Sequence, residues 1–277
     1  MAKRRWALLA VWLLCQHVAA NEYQLTGEPV QGGLMFGQVP PGTEVMLDHQ
    51  PVMVSPDGRF VIGFNRDETG VRQLSLRFPE TDETVLTPLQ VRPREYDIER
   101  VDGLPPRTVT PDPEAAERIR AERQLVVNAK ARRDNRSDYA AGFTWPASGR
   151  ISGVYGSQRI LNGKPGSTHY GVDVAAPTGT LVTAPAPGVV TLTHPDLYYS
   201  GGTIILDHGQ GLSSSFLHLS EILVEAGQYV ETGDPIGRIG ATGRATGPHL
   251  DWRMSWLDRR VDPQLLVADD QAGEAQP

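Results

Sequence analysis

Three histidines of the sequence lie in glycine-flanked, strand-like segments that also contain carboxylates. They occur as His169 in Thr-His-Tyr-Gly-Val-Asp, His218 in Phe-Leu-His-Leu and His249 in Gly-Pro-His-Leu-Asp. In a strand, residues two and four positions apart face the same side, so His169 is expected to share a face with Asp173, and His249 with Asp251. Two strands could therefore bring two imidazoles and two carboxylates to one cleft. Such a set of side chains is typical of a zinc site that keeps an open position for water.

This combination of side chains suits the hydrolysis of a peptide bond. A metal held by three protein groups lowers the pKa of its bound water and polarises the scissile carbonyl. A neighbouring histidine can then move protons or stabilise the developing oxyanion. One histidine near one aspartate would, by itself, favour a structural histidine instead.

The segments around these histidines predict a mainly β protein. Residues 143–267 contain strand-like runs separated by glycine-rich turns and form an antiparallel β domain that carries the histidines. Residues 21–93 alternate short apolar runs with turn signals and form a small β-sandwich-like domain. Residues 94–142 form a proline-rich, charged linker with a helix, and residues 268–277 form a disordered tail.

Two local predictions concern the N-terminal domain and the linker. The turn sequence Ser-Pro-Asp-Gly at 55–58 is expected to join Val52-Met-Val to Phe60-Val-Ile as a hairpin. Asp112-Pro113-Glu114 provides an N-cap, a proline at the first helical position and an acid near the positive helix end. A helix from there to about Arg133 is predicted.

Several motifs follow one another in a fixed order between residues 143 and 265. Together they resemble the lysostaphin/LytM-type metallopeptidase family, whose members cut the peptide part of the bacterial cell wall. The segments that carry the resemblance are Tyr155-Gly-Ser-Gln-Arg, His169-Tyr-Gly-Val-Asp-Val-Ala-Ala-Pro, Ala184-Pro-Ala-Pro-Gly-Val-Val, His218-Leu, Gly227-Gln-Tyr-Val-Glu-Thr-Gly-Asp-Pro-Ile-Gly and Gly243-Arg-Ala-Thr-Gly-Pro-His-Leu.

The resemblance implies a role for each candidate site residue. In the family, the histidine and aspartate of an H-x-x-x-D motif bind zinc with the second histidine of a later H-x-H motif. This implies His169 and Asp173 as ligands of one zinc ion, and His218 and His249 as the residues for proton transfer and transition-state stabilisation. The third ligand position holds Asp251 instead of histidine. A carboxylate can also bind zinc, which makes Asp251 the third expected ligand.

Other polar residues have weaker claims on the site. Arg159 and Arg244 could bind the carboxylates of a wall peptide, and a surface salt bridge is the alternative for each. His208, in Leu-Asp-His-Gly-Gln-Gly, is expected to stabilise a hairpin turn rather than to bind metal.

The first twenty residues predict export. A basic start, an apolar run and small residues before Ala20 form a signal peptide with cleavage after Ala20. An alternative lipoprotein signal would use Cys15, but Leu14 stands where a small residue is required. Cleavage would remove three basic residues and no acidic one, which shifts the formal charge from -7 to -10. We therefore expect a periplasmic or secreted protein without a membrane span and without nucleic acid as a partner.

Two other classes of protein compete with a peptidase. Family relatives that have lost metal ligands regulate other wall hydrolases, and Asp251 keeps this alternative open. The N-terminal domain could bind a protein partner in either case. A lipoyl- or biotinyl-like carrier is excluded, because it needs an exposed lysine in the hairpin at 227–237, and Lys164 is the last lysine of the chain. The leading interpretation is a zinc endopeptidase that cuts the stem-peptide cross-links of peptidoglycan.

Overall fold

A computed structural model describes residues 22–101, 115–161 and 164–267. The predicted signal peptide, its cleavage point, the helix cap at 112–114 and the C-terminal tail lie outside these residues. Within them the protein is mainly β, as predicted, with a single α-helix, α1 (Ala116–Ala129).

Eight strands precede the helix and twelve follow it within the described residues. The first eight are β1 (Gln24–Gly27), β2 (Leu34–Gln38), β3 (Glu44–Leu47), β4 (Gln50–Val52), β5 (Arg59–Gly63), β6 (Gly70–Phe78), β7 (Glu83–Val91) and β8 (Ile98–Val101). The others are β9 (Arg150–Gly153), β10 (Gln158–Leu161), β11 (Lys164–Thr168), β12 (Gly171–Ala175), β13 (Leu181–Thr183), β14 (Gly188–Leu197), β15 (Gly201–Asp207), β16 (Leu212–Ile222), β17 (Tyr229–Val230), β18 (Pro235–Ile239), β19 (His249–Trp256) and β20 (Arg259–Val261).

The N-terminal strands form two small sheets, with the orders β1-β2-β5 and β4-β3-β6-β7. The predicted hairpin between Val52 and Phe60 is wrong, because β4 pairs with β3 and β5 pairs with β2. The turn itself forms, with the Gly58 amide donating to the Ser55 carbonyl over 2.9 Å. It carries the chain from one sheet to the other, so both Val52 and Phe60 become buried.

The C-terminal strands form one large antiparallel sheet. Its main order is β17-β14-β15-β16-β19-β12-β9, and β13, β18 and β20 pair at its margins. Strand β15 is buried along its whole length, and β16 is buried from Leu212 to Leu219. Phe216 and Trp252, directly opposite each other on β16 and β19, are fully buried in this core.

The linker takes part in the fold. Its strand β8 pairs in parallel with β10, which forms a small sheet with β11. Helix α1 packs against β14 and ends after Ala129, earlier than the predicted end near Arg133. At this end the chain turns so that the Lys130 side chain reaches the sheet, where its Nζ donates to Ser255 Oγ over 3.0 Å.

The N-terminal sheets pack against the large sheet through β5. Gly63 at the end of β5 lies against Trp256 and Val261, and the two halves of the chain share one hydrophobic core. A backbone hydrogen bond from the Asp262 amide to the Gly32 carbonyl, 2.7 Å long, also joins them. In the part of the chain that the structure describes, no helix has both the length and the apolar character needed to cross a membrane.

Candidate metal centre

Three neighbouring strands of the large sheet, β16, β19 and β12, carry most of the candidate residues. In the register of β12 and β19, Asp173 lies directly opposite Asp251, and His249 lies opposite Ala175. Directly opposite residues of an antiparallel pair point to the same face. Asp173 and Asp251 therefore project from the same face of the sheet, and His249 precedes Asp251 by two residues on β19.

His169 reaches the same place from the turn before β12. Its main chain is held there by two hydrogen bonds: its amide donates to the Ser157 carbonyl over 2.9 Å, and its carbonyl accepts from the Gly156 amide over 2.8 Å. Its Nε2 lies 3.2 Å from Asp173 Oδ1. The prediction that His169 and Asp173 would share the face of a single strand is therefore replaced by a turn followed by a strand, and the two side chains still meet.

Two glycines make room for the two carboxylates. A Cβ on Gly153, opposite Asp173 on β9, would lie only 2.2 Å from Asp173 Oδ2. A Cβ on Gly171, at the start of β12, would lie 2.5 Å from Asp251 Oδ1. Any larger residue at either position would push a carboxylate out of place.

The three predicted metal ligands come together. One ligand atom from each of His169, Asp173 and Asp251 lies within 4.8 Å of the other two. His169 Nε2 and Asp173 Oδ1 are buried and lie 3.2 Å from each other, and neither has another hydrogen-bond partner within the described residues. Buried polar atoms with so few partners are costly, and two carboxylates directly opposite each other repel. A divalent cation between them would remove both penalties, so the residues fit a metal ion.

Asp251 differs from the other two ligands because it has a cationic partner of its own. Arg253 Nη2 donates to Asp251 Oδ2 over 2.5 Å, and Arg253 Nε lies 3.0 Å from both carboxylate oxygens. Burial alone would raise the pKa of the Asp251 carboxyl, but the charge and hydrogen bonds of Arg253 outweigh burial and lower this pKa below its usual value. Arg253 therefore favours the ionised form of Asp251.

The other two histidines stand beside this cluster with their rings 4.8 Å apart. His218 Nδ1 lies 2.8 Å from the Thr242 carbonyl, and His249 Nδ1 lies 2.8 Å from the Gly247 carbonyl. A carbonyl oxygen can only accept a hydrogen bond, so Nδ1 carries the proton in each neutral ring and Nε2 keeps its lone pair. Burial lowers the pKa of His218, which favours the neutral ring.

His218 is aimed by an irregularity of the sheet. Gly202 pairs with Leu219 and Ile204 with Phe216, so β16 contains an extra residue at this point. His218 adopts a φ of 66°, a left-handed conformation that is uncommon outside glycine. Such bulges re-aim side chains and often lie next to active sites.

An open cleft of about 780 Å³ surrounds these side chains. Its walls include Ser152 and Gly153 of β9, and Gln158 and Gly166 of the small β8-β10-β11 sheet. Arg244 also lines it, with its guanidinium 4.9 Å from the centre of the Tyr199 ring.

The remaining sequence candidates are placed as follows. Arg159 lies on β10, but its side chain falls outside the described part of the chain. His208 is fully buried in the β15–β16 hairpin, where its ring bonds to the Pro187 carbonyl and to Ser214 Oγ. A structural role for His208 was expected and fits this geometry.

The sequence analysis missed three cations near the cleft: Lys130, Arg253 and Arg260. Arg253 could have been found, because it lies two residues after Asp251 on the same strand face. Lys130 could not, since it comes from the distant linker helix.

One histidine and two aspartates around a common point, in an open cleft with two further histidines, form the arrangement of a metal-dependent hydrolase. The model of peptidase family M23 matches residues 167–263 of the chain. A crystal structure from Pseudomonas aeruginosa that is assigned to peptidase M23 is 30% identical, with a TM-score of 0.65, over 89% of this chain and 96% of that one. The chain belongs to peptidase family M23.

The sequences of curated relatives match part of this chain. Peptidoglycan DD-endopeptidase ShyA of Vibrio cholerae is 46% identical over 96 residues, which are 34% of this chain and 22% of ShyA. DD-carboxypeptidase/endopeptidase Mpg of Neisseria meningitidis is 37% identical over 116 residues, 39% of this chain and 26% of Mpg. The matches thus span about a quarter of the length of these relatives.

Proposed function

We propose that this protein is a zinc-dependent endopeptidase that hydrolyses the peptide cross-links of bacterial peptidoglycan. One observation carries the proposal: the buried His169 Nε2 and Asp173 Oδ1 meet the Asp251 carboxylate in a cleft lined by two more histidines. Membership of family M23 supports the peptidase activity. The name of ShyA, a peptidoglycan DD-endopeptidase, suggests the substrate class.

His169, Asp173 and Asp251 would hold the zinc ion, which supplies polarisation of the scissile carbonyl and a water of lowered pKa when bound. His218 Nε2 and His249 Nε2 keep lone pairs because each Nδ1 proton is committed to a backbone carbonyl. One of them can take a proton from the attacking water and pass it to the leaving amine. The other, when protonated, can donate to the carbonyl oxygen as negative charge develops there.

Arg253 adjusts the charge of this ligand set. Two carboxylates place more negative charge on the metal than one carboxylate and two histidines, which weakens it as a Lewis acid. The hydrogen bonds from Arg253 to both Asp251 oxygens draw part of that charge away from the metal. Arg253 is therefore the feature that makes aspartate workable at this ligand position.

The substrate class requires the protein to act outside the cytoplasm. The signal sequence predicted at residues 1–20 would export it to the periplasm or the medium, where peptidoglycan is accessible. These residues lie outside the described part of the chain.

A second candidate function is regulation of other wall hydrolases without catalysis. The observation that favours it is Asp251, which stands where the family pattern has histidine and is already paired with Arg253. A protein of this kind would keep the cleft but would not cut the wall.

Muropeptide release from purified sacculi separates the two functions. The purified protein is incubated with sacculi in the presence of zinc, with a chelator arm and with an Asp173→Ala variant. Asp67→Ala is the matched control, because the Asp67 side chain is 72% exposed and does not line the cleft. Folding of each variant is checked by thermal unfolding.

We expect release by the wild type and by Asp67→Ala, and its loss with chelator and in Asp173→Ala. Loss in both would identify a metal-dependent peptidase. Absence of release by folded, zinc-treated wild type would contradict the endopeptidase and favour the regulator.

A further inference from the structure

A second cavity, of about 450 Å³, lies between helix α1 and the large sheet. The helix contributes Ile119, Val126 and Lys130 to its lining, and the sheet contributes Ser215 and Leu217. We call this cavity the helix groove. It shares the lining residues His218, Arg244 and Arg253 with the metal cleft, so the two spaces are adjacent.

The helix groove contains more positive than negative charge. Lys130, Arg253 and Arg260 line it, and Arg253 alone of the three has a carboxylate partner, Asp251, among the described residues. The Lys130 ammonium makes a single hydrogen bond there, to Ser255 Oγ at 3.0 Å. Glu122 also lines the groove, but its carboxylate is used by Arg118 and by the Tyr198 amide.

These cations are only partly exposed to solvent. Burial lowers the pKa of Lys130 well below its usual range, and the neighbouring Arg260 and Arg253 lower it further. Burial and Arg253 lower the pKa of Arg260 as well. Partly buried basic groups without an anionic partner, here Lys130 and Arg260, are costly, so the site would gain by receiving an anion.

An unpaired hydroxyl marks the same place. The Ser215 side chain is 5% exposed, lines the helix groove, and its Oγ has no hydrogen-bond partner within the described residues. A buried hydroxyl without a partner costs free energy, and a ligand oxygen would satisfy it. This observation is independent of the charges and also points to a ligand.

The shape and lining of the groove restrict the chemistry of that ligand. Lys130, the Arg260 guanidinium and the Ser215 hydroxyl can donate hydrogen bonds to the two oxygens of a carboxylate. Ile119, Val126 and Leu217 form an apolar part of the lining, which suits a small apolar substituent. A carboxylate on a residue with a short side chain satisfies both requirements.

We propose that the helix groove is a subsite for a free carboxylate of the wall peptide, bound by Lys130, Arg260 and Ser215 beside the metal centre. The inference rests on the proposed function for the identity of the peptide. It gives the linker helix a role in substrate selection, because Lys130 enters the groove only when α1 packs on the sheet. The substrate class becomes a stem peptide with an uncapped carboxylate near the scissile bond.

Binding of short D-alanyl-D-alanine peptides tests this subsite without requiring hydrolysis. Isothermal titration compares a peptide with a free C-terminal carboxylate with the same peptide carrying a C-terminal amide. The proteins are the wild type, Lys130→Met, Arg260→Gln and the control Arg120→Gln, which changes an exposed arginine of α1 outside the groove. A third peptide, amidated at its end but carrying a glutamate side chain, shows which carboxylate of a stem peptide is bound.

We expect the wild type and Arg120→Gln to bind a carboxylate peptide about tenfold to a hundredfold more tightly than the all-amide peptide. That preference should fall to about threefold or less in Lys130→Met and in Arg260→Gln. Thermal stability should be retained in at least Lys130→Met, which removes a partly buried amine without an anionic partner. Equal binding of all three peptides by the wild type would overturn the subsite. So would a preference that survives in Lys130→Met.

A competition experiment with phosphate and the sacculus assay separate this subsite from a general anion site and from the endopeptidase proposal. Inorganic phosphate that displaces the free-acid peptide at equal concentration would show a general anion site and overturn the carboxylate assignment. If the peptides bind as expected but sacculi release no muropeptides, the subsite stands and the endopeptidase fails. If sacculi are cut but the wild type shows no carboxylate preference, the endopeptidase stands and the subsite fails.

Discussion

Replacing Arg253 by methionine should destabilise the metal-free protein more than the zinc-bound protein. The Asp251 carboxylate is only 3% exposed and receives hydrogen bonds of 2.5 to 3.0 Å from Arg253. The variant leaves this carboxylate buried opposite Asp173 with no cation in contact. Removal of one partner of a buried ion pair costs about 3 to 5 kcal/mol. Since the Arg253 side chain is 31% exposed, we expect the lower end, about 3 kcal/mol.

The assay is thermal unfolding with chelator and with excess zinc. For a protein of this size, about 3 kcal/mol corresponds to a fall in Tm of roughly 6 to 12 °C in chelator. Zinc would supply the missing positive charge between Asp173 and Asp251, so the fall should be no more than about half as large in zinc. Arg238→Met is the control, because its ion pair with Glu221 is exposed and should contribute less than about 1 kcal/mol.

Either of two results would refute this reasoning. A Tm of Arg253→Met in chelator within about 2 °C of the wild type would show that the ion pair does not hold Asp251. A loss of equal size in chelator and in zinc would show that Asp251 does not share its charge with a bound metal.

Three other perturbations have defined outcomes. Gly153→Ala should weaken zinc binding about tenfold or more, because the added Cβ would lie 2.2 Å from Asp173 Oδ2. The control Gly247→Ala adds a Cβ with no atom within 4 Å, so it should leave the zinc affinity unchanged in the same titration. His218→Ala should keep its zinc content and lose about 10² to 10⁴ in kcat on sacculi; loss of zinc with activity would instead make His218 a ligand. Burial lowers the pKa of His208 in the folded protein to about 4. The stability that neutral His208 contributes is therefore present above the pKa of this histidine in the unfolded chain, and it is lost as the pH falls through its pKa in the folded protein. The stability gap between wild type and His208→Gln should therefore narrow by about 2 kcal/mol between about pH 7 and about pH 5 in denaturant titrations, and a constant gap would contradict the assignment.

The parts of the structure that follow from local sequence pattern were predictable. The alternation of short apolar runs and glycine turns indicated a mainly β protein, which the structure confirms. The cluster of His169, Asp173 and Asp251 follows from motif order, because the residues lie at or next to two adjacent strands in register. Their roles in catalysis stay predictions until they are tested.

The parts that depend on long-range packing were not predictable. The turn at 55–58 has the residues of a hairpin, but burial of Val52 and Phe60 in different sheets decides the pairing. The bulge that aims His218 depends on how β15 and β16 align, which no local motif specifies. The contact of Lys130 with Ser255 depends on how α1 packs over the large sheet, and nothing in the sequence around Lys130 shows this packing.

The most direct test of the metal centre is the identity of the zinc ligands in the zinc-loaded protein, measured by X-ray absorption and by crystallography at the zinc edge. We predict one zinc ion bound by His169 Nε2 and by carboxylate oxygens of Asp173 and Asp251, at about 2.0 to 2.2 Å. A protein that binds no zinc, or that binds it without Asp251, would contradict the account.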